Sequence, residues 1–330
     1  MKQIGVGVVG YGMSGEHHCN FVNQVEELKL EALCEPVDVL REKAKADHGM
    51  KTYTSLEEML EDAAIELVVL STPHHTHAPM AIQVLEAGRH VMVEKVMCLN
   101  VQEADDMMAA AKKAGRTLTV YHNRRLDGDY LTARQVIESG DLGEVYRIEV
   151  ACNYYGPHTG WRTKMHLGGG FIYDGGSHII DQVVQMAGCR AKTVFADIQR
   201  RVWTDTMDTD TASLITVRFE SGLVAVFDIS SIAWHKKHRW LMLGEKGSFM
   251  KQDWEEDPGY IETRVADLPA RIEVEAIKRD WLPTYQKLAD HLLNGADLWV
   301  KPEEVRETVK IIQGAFESDK TGQSVEILDW

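Results

Sequence analysis

No stretch of this 330-residue sequence approaches the ~18 consecutive apolar residues that a membrane span requires. Cysteine is sparse. The five residues, at 19, 34, 98, 152 and 189, are odd in number and contain no C-x-x-C pair. That excludes a disulfide framework and a cysteine-built metal site, and fits a reducing compartment. Positive charge is also short: 36 Lys and Arg stand against 51 Asp and Glu, a net charge of −15. A nucleic-acid partner needs a basic face that releases counterions, and an anionic membrane surface asks for the same. Neither is expected here. Repeats, low-complexity tracts and a Gly/Ser linker are missing too. Met1-Lys2-Gln3 leads straight into a strand-like run with no cleavable-signal pattern, so the cytoplasm is the expected location.

What is present is ordinary for a globular chain, with 44% hydrophobic and 26% charged residues. The length predicts two domains. Short continuous apolar runs at Ile4–Val9, Leu30–Cys34, Leu67–Leu70, Val91–Val93 and Leu118–Tyr121 read as strands covered on both faces. Helical patterns separate them. Ser55 with Glu58 makes a capping box, Gly88 is placed to end a helix through Met80, Ala81, Val84 and Leu85, and Asn100 can cap a helix that ends at Gly115. Repeated strand–helix units predict an α/β domain with a doubly wound parallel sheet over residues 1–122. After Asn123 the pattern changes. A helix capped by Asp127 or Asp129 runs towards Gly140, Val145–Cys152 reads as a strand, and Tyr173–Met186 as a helix. Thr211–Phe219 and Leu223–Ser230 alternate around Ser221-Gly222 as a hairpin. Helices return at Tyr285–Asn294 and Pro302–Ser318. Residues 123–330 are therefore expected to form an α+β domain with a mostly antiparallel open sheet.

Gly10-Tyr11-Gly12-Met13-Ser14-Gly15 is G-x-G-x-x-G following a strand and opening a helix, the context that makes the motif informative. Gly10 permits the turn, Gly12 lets a pyrophosphate approach the backbone, and Gly15 lets helix and strand pack closely. The N–H groups of Met13 and Ser14 open the helix towards the phosphates. Glu35, at the end of the second strand and 20 residues beyond Gly15, can accept hydrogen bonds from a ribose diol and would repel a 2′-phosphate. Pro36 and Val37 bring no positive charge. NAD is therefore expected ahead of NADP. The same glycines could serve a bare strand–turn–helix; Glu35 in register favours the dinucleotide.

Two segments carry chemistry. Glu94-Lys95-Val96 lies at the carboxyl end of a strand, where ligands bind in open α/β sheets, and Lys95 can stabilise a developing alkoxide. In Gly168-Gly169-Gly170-Phe171-Ile172-Tyr173-Asp174-Gly175-Gly176-Ser177-His178, a helix from Tyr173 would put Asp174 and His178 one turn apart. His178 suits proton abstraction near neutral pH, Asp174 can bind hydroxyls, and Asp181 can support His178. Five glycines in nine residues are costly in a helix, a cost that close approach of a ligand would explain. A structural Asp–His pair is the competing reading.

Through these residues the chain resembles the Gfo/Idh/MocA oxidoreductases. The likeness runs through Ser71-Thr72-Pro73-His74-His75-Thr76-His77, Ala87-Gly88-Arg89-His90-Val91, Glu94-Lys95, Tyr121-His122-Asn123-Arg124-Arg125, the GGG-x3-D-x3-H run and Gly244-Glu245-Lys246-Gly247-Ser248. The resemblance implies a Rossmann domain followed by a domain with a large open sheet, and a catalytic trio of Lys95, Asp174 and His178, with His178 as proton acceptor. It implies that Thr72, Pro73, His77 and Glu94 line the cofactor and that Asn123 faces nicotinamide or substrate. Dimers or tetramers formed through the open sheet are implied as well. The family usually has Glu-Lys-Pro where this chain has Glu94-Lys95-Val96; valine is stiff and favours extended backbone. Arg124-Arg125-Leu126-Asp127-Gly128-Asp129 and Trp161-Arg162 look like the branch nearest certain scyllo-inositol dehydrogenases and sugar dehydrogenases, so Trp161 and Arg162 are expected to reach the substrate or the cofactor, or else to pack between domains.

Other signals are set aside. His74, His75 and His77 have no cysteine nearby and read as a turn, not a zinc site. His17 and His18 read as solvated helix-end residues that could touch phosphates, the tryptophans at 234, 240 and 254 as core or interface, and Glu255-Glu256-Asp257 as a solvated turn. The expected activity is NAD-dependent oxidation of a hydroxyl carbon in a sugar, a cyclitol or a derivative. The alternatives are redox-assisted glycoside cleavage with recycled cofactor, and a non-catalytic NAD or sugar sensor.

Overall fold

The apolar run Ile4–Val9 is buried along its length as strand β1. It lies in a computed structural model that describes residues 2–254 and 257–330. Glu255 and Glu256, read above as part of a turn, lie outside the described residues. Elements follow as α1 (Met13–Val22), β2 (Leu28–Cys34), α2 (Asp38–His48), β3 (Lys51–Tyr53), α3 (Leu56–Leu60), β4 (Leu67–Leu70), α4 (His77–Glu86), β5 (His90–Val93), α5 (Val101–Ala114) and β6 (Leu118–Val120). The six strands pair in parallel in the order β3-β2-β1-β4-β5-β6. The order reverses between β1 and β4, the topological switch point of such sheets. Local chemistry sets the helix starts: Ser55 Oγ accepts the Glu58 N–H at 3.3 Å, and Asn100 Oδ1 accepts the Glu103 N–H at 2.9 Å.

Beyond β6 come α6 (Gly128–Ser139), β7 (Val145–Asn153), α7 (Ser177–Ala187), β8 (Ala191–Gln199), β9 (Ala212–Phe219), β10 (Val224–Ser230), β11 (Trp240–Gly244), β12 (Gly247–Lys251), β13 (Gly259–Val265) and β14 (Leu268–Val274). The chain ends with α8 (Pro283–Asn294), α9 (Pro302–Thr321) and β15 (Val325–Glu326). The second sheet has nine strands in the order β14-β13-β12-β11-β7-β10-β9-β8-β15. Its pairs are antiparallel except β7 with β10. Burial alternates along β8 and β9, so one face is core and the other carries exposed Phe195 and Leu214. α7 packs on β7 and β10, and residues 177–184 of it are buried without interruption.

The chain divides into Met1–Tyr121 with Leu282–Arg306, and His122–Trp281 with Glu307–Trp330. The sequence reading placed everything after residue 122 in the second domain; Leu282–Arg306 must be returned to the first. The cause is apolar packing that no local pattern reveals. Tyr285, Leu288 and Ala289 of α8 join the cluster that contains Val6, Val8, Val22 and Leu33. Asp127 takes the N-cap position of α6, where it or Asp129 is expected. Asp127 makes no side-chain capping bond and instead accepts the Trp281 indole N–H at 2.8 Å. Asp129 Oδ2 accepts Arg239 Nε and Trp240 Nε1 at 2.7 and 2.8 Å. Trp240 is core, but Trp234 is exposed, stacked on Tyr155 at 3.8 Å between ring centres. Among the described residues no helix is long and apolar enough to cross a membrane.

Candidate active site

In the first unit the glycine motif closes the β1–α1 turn at the switch point. Gly10 has φ +91°, and a Cβ on Gly15 would lie 2.0 Å from the Gly10 carbonyl oxygen, so both are required by the turn itself. Gly12 differs: a Cβ there would meet nothing within 4 Å. Its open side is available to a ligand. No side chain caps α1, whose first-turn N–H groups, from exposed Met13 and half-buried Ser14, suit an anion. The Glu35 carboxylate accepts the N–H of Tyr11 at 2.9 Å and of Val37 at 3.0 Å. A carboxylate has about four acceptor positions, so two remain for a diol. Arg41, which the sequence reading passed over, donates to the backbone carbonyls of Glu35 and Pro36 at 2.7 and 2.8 Å and pairs with Asp38. These residues fit a dinucleotide.

After β4, Thr72 Oγ1 shares a hydrogen bond with Thr76 Oγ1 at 2.7 Å, and the Pro73 carbonyl accepts the Thr76 N–H at 2.9 Å. His77 is fully buried. Its ring nitrogens lie 2.9 Å from the Thr72 carbonyl oxygen and 2.7 Å from that of Val96, tying the loop after β4 to the loop after β5. Burial lowers its pKa, and a neutral ring can donate to one of those carbonyls at a time. The Lys95–Val96 peptide is cis.

Glu94 is buried. Its Oε1 lies 3.1 Å from His18 Nε2 and its Oε2 accepts the Lys95 N–H at 2.9 Å. Burial alone would raise this carboxyl, but His18 and Lys95 outweigh it and hold it at about 2. His18 is thus a core residue of the first unit and not the solvated helix-end histidine expected; His17 is the exposed one. Because the folded value lies below the ordinary 4.5, ionised Glu94 stabilises the fold fully above that pH, and the contribution drains away as pH falls towards 2. Glu94→Gln should flatten the rise in Tm across this window. A Tm–pH profile superimposable on the wild type would refute this.

The second unit holds the other residues. A wide π-type turn over Ile172–Gly176 precedes α7, a feature frequent at functional sites. It presents Asp174, half-buried, and His178, buried. Asp174 Oδ2 pairs with Arg162 Nε at 3.2 Å, and the Arg162 guanidinium covers the Trp161 ring at 4.6 Å. The His178 ring meets His122 edge-on, 6.0 Å between centres, and His122 Nδ1 lies 3.6 Å from Asp181 Oδ2. Asp181, expected to support His178 indirectly, is bound by Arg125, whose Nε and Nη2 donate to its two oxygens at 2.8 and 2.7 Å, and it reaches His178 by way of His122. Arg125 and His122 hold this carboxyl below its ordinary value despite the cost of burial. Asn123 is buried in the short turn before α6.

Asp210 was missed. It accepts the N–H groups of Phe171 and Ile172, both at 2.9 Å, so a carboxylate two residues before β9 fixes the start of the π turn. Burial pushes it up to about 6, against the pull of those donors. The sequence signal was nil, because Thr209-Asp210-Thr211 reads as a strand edge. The glycine run is explained by the protein's own packing. A Cβ on Gly170 (φ +104°) would lie 2.0 Å from Asp210 Oδ1, one on Gly175 2.2 Å from the Phe171 ring, and one on Gly176 2.8 Å from Ile229. Gly170→Ala should therefore cost at least about 2 kcal/mol, from positive-φ strain and overpacking. An unshifted denaturation midpoint would show that the turn yields freely.

A dinucleotide cradle on one unit, and an Asp–His pair four residues apart opening a helix on the other, make a combination that comparison with known proteins can test. Residues 4–122 match the family profile described as oxidoreductase family, NAD-binding Rossmann fold, and residues 130–250 match the GFO/IDH/MocA C-terminal domain. The chain belongs to the Gfo/Idh/MocA oxidoreductase family. Among relatives of this family, the scyllo-inositol 2-dehydrogenase (NADP(+)) IolW of Bacillus subtilis is 30% identical, over 98% of this chain and 95% of that one. The myo-inositol 2-dehydrogenase of Thermotoga maritima is 28% identical over 68% of each. An NAD-binding protein from Listeria innocua superposes with a TM-score of 0.91 at 27% identity, covering 100% of this chain and 98% of that one. As a Gfo/Idh/MocA member the chain is an oxidoreductase whose first unit is an NAD-binding Rossmann fold.

Proposed function

We propose that this chain oxidises a secondary hydroxyl of a cyclitol, a sugar or a close derivative, with NAD as acceptor and His178 as the base. The observation that carries the reading is the π turn into α7, where Asp174 and His178 are presented together in a chain whose other unit fits a dinucleotide. Gly10, Gly12, Met13, Ser14 and Gly15 would hold the pyrophosphate and Glu35 the adenosine ribose. The loops bearing Thr72, Pro73, His77, Glu94 and Lys95 would border the nicotinamide; the resemblance assigns Asn123 to nicotinamide or substrate. When bound, the nicotinamide supplies a two-electron acceptor for hydride.

The chain's own residues supply the rest. A ring nitrogen of His178 takes the hydroxyl proton as the C–H bond breaks. The Lys95 ammonium stabilises the oxygen as negative charge develops on it. Asp174 accepts a neighbouring hydroxyl, and its pairing with Arg162 at 3.2 Å fixes its direction and cancels its charge. Names of relatives support the class: two are inositol dehydrogenases. Glu35 supports NAD over NADP, since a buried carboxylate already bound to two N–H groups repels a 2′-phosphate. Arg41, held at the Glu35 and Pro36 carbonyls and paired with Asp38, is committed elsewhere.

The test is a panel of cyclitols, aldoses, sugar acids and glycosides with NAD and NADP, read by absorbance at 340 nm. NADH should form fastest with a neutral cyclitol or aldose. Consumption of a glycoside with no net NADH would replace this reading by redox-assisted cleavage, and inertness across the panel with retained NAD binding would leave a sensor.

A further inference from the structure

Glu94 is a buried carboxylate one residue from Lys95, and the reaction above gives it no proton to move. Its neighbours give it another task. His18 lies on α1, the helix that opens at the glycine motif, and is 1% exposed. Its Nδ1 is bonded to the Tyr285 hydroxyl of α8, and its Nε2 faces Glu94 Oε1 at 3.1 Å. Glu94 Oε2 accepts the Lys95 N–H at 2.9 Å. Tyr121 meets the His18 ring edge-on at 4.5 Å and the Tyr285 ring does so at 6.1 Å, so the imidazole lies against two aromatic rings.

One tautomer satisfies every member. The Tyr285 O–H donates to Nδ1, the Nε2–H donates to Glu94, and the Lys95 N–H donates to the other carboxylate oxygen. A complete buried network fixes geometry because each lost partner leaves another group unpaired. The line runs from α8 through α1 to the backbone of Lys95, all within the first unit.

We propose that His18 is a positioning residue that acts through Glu94 to hold the Lys95 backbone, so that the helix opening at the glycine motif and the lysine loop are set as one piece. The proposal rests on the reading that Lys95 meets the substrate oxygen.

The experiment is a mutant cycle on the full chain with the best substrate of the panel. His18→Phe keeps a ring and removes both nitrogens; it should lower kcat about 10- to 100-fold, the scale set by misplacing a reacting group by roughly an ångström, with Kd for NADH unchanged. His18→Gln, which can still donate to Glu94, should recover most of that loss. In the Lys95→Ala background His18→Phe should have no further effect on kcat. Multiplicative losses in the double variant would overturn the proposal, as would a fall in NADH affinity with kcat intact. If Lys95→Ala alone leaves kcat unchanged, the catalytic reading fails and the proposal fails with it. Tyr285→Phe, which removes one hydroxyl, gives a second test should His18→Phe not fold: a smaller kcat loss is expected, again absent without Lys95, and a loss that persists without Lys95 overturns the proposal.

Discussion

His178→Ala is expected to lower kcat about 10²- to 10⁴-fold, the usual worth of a positioned general base, while NADH binding stays at the wild-type value. The separation follows from the fold. His178 sits where the π turn becomes α7 in the second unit, whereas the residues proposed to hold the dinucleotide lie on β1, α1 and β2 of the first. Its ring packs against His122 and makes no part of the sheet's apolar core, so its loss should leave the scaffold standing. The check is steady-state kinetics beside fluorescence titration of NADH and a thermal melt. Equal loss of turnover, NADH binding and Tm would mean a folding defect and would remove the evidence for His178 as the base.

Asp181→Ala is expected to be the most damaging single change to stability among the residues around the site. Asp181 is fully buried and bound at both oxygens by Arg125, itself 6% exposed. Removing one partner strands a guanidinium charge in the interior, at a cost of about 3–5 kcal/mol. Asp181→Asn, which keeps shape and an acceptor, should cost less. The pair also carries a pH signature. The folded carboxyl lies below its ordinary 3.8, so its contribution is complete above that value and is lost as pH falls through the folded one. The wild-type advantage over Asp181→Asn should accordingly shrink in acid. Denaturant melts at neutral and acid pH decide the matter; a small, pH-independent difference would mean that solvent reaches Arg125.

The legible parts of this protein were those written in short-range patterns. The continuous apolar runs gave every strand of the parallel sheet except β3, and Ser55 and Asn100 gave helix starts, because strand burial and capping are properties of a few adjacent residues. The glycine motif announced the tight turn between β1 and α1 for the same reason. What escaped depends on partners far along the chain. Nothing near Asp210 announces that it holds the N–H groups of Phe171 and Ile172. Asp181, on a face near that of His178, reads as a distant support for it; what the local pattern does not show is Arg125, 56 positions earlier, which binds both of its oxygens. The glycine run looked like a ligand-access device; Asp210, Phe171 and Ile229 show that the space was already spoken for.

The return of α8 to the first unit bears on how the molecule can be dissected. Tyr285 and Leu288 complete the hydrophobic cluster under β1 and β2, and Tyr285 ends the hydrogen-bonded line to Glu94. A fragment truncated after Tyr121 would expose that apolar surface to water and strip His18 of a partner, so it should be sticky and poorly folded even though its whole parallel sheet is present. An autonomous nucleotide-binding module would need residues 282–306 spliced back on, and any domain exchange with a relative has to trade both segments together.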